Sequence, residues 1–167
     1  MTPALKTVLV TGAAKRLGRA VALHLAKRGW SIAVHYNSSQ AEAEETVAAI
    51  HELGVHAAAL EADLSSEEDT QRLISRAHAA LGPLTALVNN ASVFENDTVT
   101  TMTRMSWDRH LETNLRAPVV LAQNFAEQLP SFAEGAIVNL LDQRILKPTP
   151  QFLSEACELL AVFESKR

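Results

Sequence analysis

At 167 residues, 47% hydrophobic and 20% charged, the chain suits one soluble domain with a sizeable core. Its net charge of -4 argues against a basic surface for nucleic acid or acidic lipid, and no apolar run approaches the roughly 20 residues of a membrane helix. The single cysteine, Cys157, excludes an internal disulfide and fits a reducing compartment; Met1 to Lys6 carries no signal-peptide pattern, so the cytoplasm is the expected location.

Lys6 to Thr11 (KTVLVT) is a short β-branched run followed by Gly12, which predicts a buried strand ending in a turn. Leu17, Val21, Leu25 and Ala26 then recur at helical spacing until Gly29. Ser31 to His35 predicts a second buried strand. Ala41 to Leu53 predicts a second helix with Glu42, Glu45 and Glu52 on its polar face and Gly54 at its end. Val55 to Leu60 reads as a third strand and Glu67 to Leu81 as a third helix, capped by Ser65 or Ser66 and broken by Gly82-Pro83. Leu84 to Val88 is the fourth strand, Trp107 to Leu129 a long helix, and Ala136 to Leu141 the fifth strand. Past Pro148 and Pro150, residues Leu153, Ala156, Cys157, Leu160 and Phe163 space as one helical face. This alternation predicts a doubly wound α/β fold: a mostly parallel sheet with helices on both faces.

Between the first strand and first helix lies Thr11-Gly12-Ala13-Ala14-Lys15-Arg16-Leu17-Gly18. Gly12 permits a sharp turn, Gly18 permits close approach of helix and sheet, and the helix N-terminus offers free N–H groups to a pyrophosphate. A glycine pair also occurs in turns that bind nothing; its place after the first strand of an alternating pattern favours the phosphate turn.

The turn resembles that of the short-chain dehydrogenase/reductase family, T-G-x3-G-x-G, with Arg16 at the middle glycine. In the form TGAAKRLG it is similar to the pteridine-reductase branch. The second strand ends in His35-Tyr36-Asn37-Ser38-Ser39, without the carboxylate that an NAD site uses for the ribose 2′-hydroxyl. Asn37, Ser38 and Ser39 are suited to donate to a 2′-phosphate, and Lys15 or Arg16 to neutralise it, so NADP(H) is the expected cofactor. Alternatively, Lys15 and Arg16 are solvated loop charges.

Further residues carry the resemblance. Asp63-Leu64 matches the family's adenine-contacting aspartate, although an aspartate before a helix is also an ordinary cap. Asn89-Asn90-Ala91-Ser92 resembles N-N-A-G, its amides suited to cross-linking strands and its backbone to lining the cofactor cleft; an asparagine turn is the plainer reading. Asn114 sits inside the long helix, where asparagine is a poor helix former. The resemblance implies that it kinks the helix and holds a water of the proton relay. Asp142 replaces the family's serine after the fifth strand, again as in pteridine reductases, where an aspartate helps to protonate the pterin ring.

By that branch's spacing the family's tyrosine falls on Glu155 and its lysine on Leu159. The resemblance runs from residue 6 to about 153 and ends abruptly at Glu155. This predicts a Rossmann-like domain at 1–153, with five of the usual seven strands, and a divergent tail at 154–167 left by C-terminal truncation, a shifted frame or altered splicing, or else belonging to a genuine short form. The fifth strand is then expected to form an apolar sheet edge, and the chain to be poorly soluble alone or to need a partner. The implied activity is NADPH-dependent reduction of a pteridine (dihydropterin- or dihydrofolate-type) or a related carbonyl or imine. The alternative is a catalytically inactive dinucleotide-binding module, or a dimerisation partner of a full-length reductase, since the family forms dimers and tetramers through its long helices. No metal is expected: His24, His51, His56, His78 and His110 lack ligand spacing, and most read as exposed helix residues.

Overall fold

The structure, a computed structural model, describes residues 6–142. Its elements run β1 (Thr7–Val10), α1 (Arg16–Ala26), β2 (Ser31–Tyr36), α2 (Gln40–His51), β3 (Ala57–Glu61), α3 (Glu67–Leu81) and β4 (Ala86–Asn89), then α4 (Arg104–His110), a π-helical segment (Leu111–Arg116), α5 (Ala117–Gln128) and β5 (Ala136–Asn139). The sheet order is β3-β2-β1-β4-β5 and every neighbouring pair is parallel. This is the expected Rossmann-like doubly wound α/β fold, with five strands among the described residues. The helical face expected at Leu153 to Phe163, together with Glu155, Leu159 and the 154–167 tail, lies outside them.

Alternation along β1 shows why the short runs are strands. Val8 and Val10 pack with Ala22, Ala26, Ala43 and Ile50 of α1 and α2, whereas Leu9 faces Leu73, Ile74, Leu121 and Phe125 of α3 and α5. Period-two side chains thus feed two cores, and a strand covered on both faces reads as a continuous apolar run. Burial of Leu9, Leu73, Ile74 and Leu121, each at 0 or 1% exposure, stabilises the molecule by about 1.5–3 kcal/mol per side chain.

The third helix keeps its predicted bounds, with Ser66 at the N-cap accepting from Asp69 N. The predicted long helix begins three residues earlier, at Arg104, where Thr103 and Ser106 form a reciprocal cap, and a π-helical segment interrupts it. The strand ends shift by one or two residues from the predicted bounds: β1 and β5 are shorter, β2 runs on to Tyr36, and β3 and β4 start two residues later and end one residue later, at Glu61 and Asn89. At β5, all four residues are exposed along the outer edge of the described sheet.

Candidate functional site: the carboxyl edge of the sheet

Parallel strands all end on the same side. Residues 11–18 after β1, 36–39 at and after β2, 62–64 after β3, 90–92 after β4 and 140–142 after β5 therefore share one edge. The sheet thereby brings Gly12, Lys15, Arg16, Leu17, Gly18, Tyr36, Asn37, Ser38, Ser39, Asp63, Leu64, Asn90, Ala91, Ser92 and Asp142 to a common rim, with Asn114 reaching it from the π-helical segment.

The turn after β1 is fixed from two sides. On the β4 side, Thr11 N donates to Val88 O at 2.9 Å, and Thr11 Oγ1 accepts from the backbone N–H groups of Asn90 and Ala91 at 2.9 and 3.0 Å. Asn90 Nδ2 donates to Thr11 O at 2.8 Å and lies 3.3 Å from Gly12 O. The Asn90 amide is thus a cross-link holding the turn. Facing β2, Gly12 N donates to His35 Nδ1 at 2.9 Å and Ala13 N to His35 O at 2.9 Å.

With those donors committed, the free N–H groups of the turn are those at the start of α1. Lys15 is its N-cap and makes no side-chain cap bond; the first backbone bond into this end runs from Arg19 N to Lys15 O, 3.2 Å. The N–H groups of Arg16, Leu17 and Gly18 have no intrahelical acceptor available, as at any helix start. Gly12 has φ +64, and a Cβ on it would fall 3.1 Å from Ala91 Cα. On Gly18 a Cβ would fall 2.1 Å from Gly12 O, so backbone meets backbone there. This is a close-packed, donor-lined cradle with the partial positive charge of a helix N-terminus, suited to a pyrophosphate.

Arg16 stands at φ +51, alone among the described non-glycine residues in positive φ. The chain thus places a cation in the left-handed region that favours glycine. Both candidate cations are exposed, but they differ. Lys15 pairs with Glu42 of α2 at 2.5 Å, an interaction that holds the Glu42 carboxyl below the usual carboxylate range. Arg16 has no ion pair among the described residues.

Asn37 and Ser38 are exposed just beyond β2, and Ser39 is the N-cap of α2 without a side-chain cap bond. Tyr36 is buried at 8% exposure in the α1/α2 core; its backbone C=O accepts from Ala62 N at 3.0 Å. Leu64 is likewise buried, against α3. Asp63 Oδ1 accepts from Ser65 N and Oγ at 2.9 and 2.7 Å, a turn that leads into α3. Ala91 is half-buried, whereas Ser92 and Asp142 are exposed. Leu17 is exposed too, at 58%.

Asn114 lies within the π-helical segment, and its side chain grips one residue twice: Oδ1 accepts from Val93 N at 2.7 Å and Nδ2 donates to Val93 O at 2.9 Å. The amide therefore clamps the segment after β4. His110, one turn earlier, adds a second strap, accepting from Glu95 N at 3.2 Å while its other nitrogen faces Ser106 O at 2.8 Å. It is fully buried, an exception to the exposed helix histidines expected. Asn89 Nδ2 donates to Asn139 Oδ1 at 2.8 Å, tying β4 to β5, while Asn89 Oδ1 is buried with no partner among the described residues.

Sequence reasoning missed three of these: His35, Glu42 and His110. His35 carried a signal, since a lone histidine near the end of a buried strand needs two hydrogen-bond partners. Its Nδ1 accepts from Gly12 N, so Nε2 carries the proton and donates to Ala62 O at 3.0 Å. Burial pushes the imidazole down to about 4, so it is neutral at ordinary pH. Among the described residues no group of histidine, cysteine and acidic side chains is arranged to hold a metal, and no helix is long and apolar enough to cross a membrane.

The family model for short chain dehydrogenase matches residues 6–153. The chain is 34% identical over 135 residues to the 3-oxoacyl-acyl-carrier-protein reductase FabG of Staphylococcus aureus, covering 81% of this chain and 55% of that protein. It thus spans about half the length of the curated relatives it matches. Its structure is similar to that of FolM alternative dihydrofolate reductase 1 from Brucella suis in complex with NADP: TM-score 0.91 and 38% identity, over 97% of this chain and 67% of that one. It also resembles a short chain dehydrogenase from Burkholderia cenocepacia in complex with NADP, with TM-score 0.88 and 30% identity over 97% of this chain and 65% of the other. The chain belongs to the short-chain dehydrogenase family.

Proposed function

We propose that the 1–153 domain of this chain binds NADP(H) along the carboxyl edge of its sheet, and that its activity is that of an NADPH-dependent reductase of the pteridine-reductase-like branch. The substrate class is a dihydropterin- or dihydrofolate-type pteridine, or a related carbonyl or imine, and the setting is the cytoplasm. The observation that carries this reading is Arg16: an exposed cation held at φ +51 at the uncapped start of α1, on the same edge of the sheet as a β2 end that has no acid. Similarity to FolM, solved with NADP and named as an alternative dihydrofolate reductase, supports both the cofactor and the substrate class.

The roles follow from the cradle. The N–H groups at the start of α1 receive the pyrophosphate, and Gly12 and Gly18 let the turn, the helix start and the Asn90-Ala91 segment pack closely enough to hold those groups in place. Arg16, with Asn37, Ser38 and Ser39, receives the 2′-phosphate, and Lys15 contributes in competition with Glu42. Asp63, Leu64, Asn90, Ala91 and Ser92 line the adenine and ribose side, and the backbone of Tyr36 closes it. The cofactor supplies a hydride when bound. On the substrate side, Asn114 orients the segment after β4, and Asp142 supplies the proton for the reduced ring.

A second reading is a catalytically inactive dinucleotide-binding module, or a dimerisation partner of a full-length reductase. It is favoured by Glu155 and Leu159, which stand where the family's tyrosine and lysine are expected. One pair of measurements separates the two. NADPH and NADH are titrated by cofactor fluorescence, then NADPH oxidation is followed with a dihydropterin at high protein concentration. NADPH binding with turnover supports the reductase; binding without turnover supports the module. Absence of NADPH binding would sink both.

A further inference from the structure

Two segments that sequence reasoning treats separately, the phosphate turn after β1 and the Asp63 segment after β3, meet at one side chain. The His35 ring lies between them. Its Nδ1 accepts from Gly12 N at 2.9 Å and its Nε2 donates to Ala62 O at 3.0 Å, while the His35 backbone C=O accepts from Ala13 N. The residue is 2% exposed. Val34 and Tyr36 pack into the α1/α2 core, so alternation turns the His35 side chain to the opposite face of the sheet. There it bridges β1 and β3, which are not neighbours in the sheet because β2 separates them.

An imidazole performs this task well because it is planar and rigid and carries one donor and one acceptor on opposite sides of the ring. It fixes the distance between Gly12 and Ala62 and fixes the direction of both backbone groups. Gly12 leads into the turn that ends at the free N–H groups of Arg16, Leu17 and Gly18, and Ala62 is bonded covalently to Asp63.

We propose that His35 is a positioning residue that sets the separation between the pyrophosphate cradle at Gly12–Gly18 and the adenine side at Asp63, so that a dinucleotide engages both at once. This rests on the NADP(H) reading above. A ligand reaching only one segment gains little from a fixed separation, whereas one spanning both gains affinity from it, because pre-organised partners need no ordering when the ligand binds.

The test uses two probes on the full chain by calorimetric titration: adenosine 2′-monophosphate, which lacks the pyrophosphate, and 2′-phospho-ADP-ribose, which contains it. The quantity read is the ratio of their dissociation constants. In His35→Phe, a ring of similar size keeps the packing and loses both hydrogen bonds. The ratio is expected to shrink by about tenfold, through weaker 2′-phospho-ADP-ribose binding with adenosine 2′-monophosphate changed by less than about twofold. His35→Gln, which keeps a donor and an acceptor, is expected to recover part of the ratio. A purely structural role lowers the folded fraction and weakens both probes by the same factor, leaving the ratio unchanged; that result overturns the proposal. His35→Leu carries the same comparison where His35→Phe does not fold. Failure of the wild type to bind either probe instead defeats the NADP(H) reading itself.

Discussion

The side-chain nitrogen of Asn90 lies 2.6 Å from the point that a Cβ on Gly18 would occupy, and Gly12 O lies nearer still, at 2.1 Å. Asn90 is held in place by its bond to Thr11 O, so neither neighbour has room to retreat. Gly18→Ala must therefore push α1 away from the turn. Overpacking of this kind costs about 1–3 kcal/mol. A lowered urea midpoint together with weaker NADPH binding is the expected outcome, and a variant indistinguishable from wild type in both would show that the turn yields easily.

Arg16 offers a test in which stability and binding move in opposite directions. At φ +51 an L-residue carries a steric cost of about 1–2 kcal/mol that glycine escapes. Arg16→Gly is expected to be more stable than Arg16→Ala by about 1 kcal/mol, since both lose the cation and alanine alone keeps the strain. Both variants should bind NADPH more weakly while leaving NADH binding nearly unchanged. Chemical denaturation and fluorescence titration, run on the same preparations, check the pair.

Removing the Asn114 amide strips partners from both the N–H and the C=O of Val93. Asn114→Ala should cost on the order of 2 kcal/mol and speed hydrogen exchange at Val93. Asn114→Asp separates the two bonds. A carboxylate still accepts from Val93 N, but it sets a second oxygen against Val93 O, so the variant should also be destabilised at neutral pH. If Asn114→Asp matches wild type, the Nδ2 bond contributes nothing.

His35 gives the fold an acid sensitivity. Burial is the main reason its imidazole sits at about 4, with Arg76 pushing the same way and the Ala62 carbonyl and Asp63 opposing. The unfolded chain takes up that proton near 6.5 and the folded chain resists it until about 4. The unfolded state therefore binds more protons across this window, and stability falls as pH drops. The contribution is complete above 6.5 and declines by at most about 1.4 kcal/mol per pH unit on the way to 4. His35→Phe should show a flatter stability–pH curve over that range, measured by urea unfolding; an equally steep curve would assign the slope to other groups.

Much of the architecture was legible in the sequence because burial on both faces of a parallel sheet leaves a local mark. KTVLVT and SIAVH are apolar without a break, each is followed by a helical period, and order alone then implies parallel strands. The phosphate turn was legible for a similar reason. Gly12 and Gly18 occupy positions where a side chain would meet backbone, a restriction expressed directly as residue type.

What the sequence left hidden are the partnerships made across the sheet. Nothing near His35 in the chain indicates that its two ring nitrogens serve Gly12 and Ala62, residues 23 and 27 positions away. Glu42 resembled any other polar-face glutamate until α2 was docked beside the turn and brought it to Lys15. Asn114 announced itself as an awkward helix residue, but only the placement of the segment after β4 decided that its amide would be spent on Val93. Local chemistry determines which backbone shapes a segment adopts, because sterics and burial act residue by residue. Which polar groups end up satisfying one another is decided only when the elements pack, since each buried donor must take whatever acceptor the neighbouring element presents.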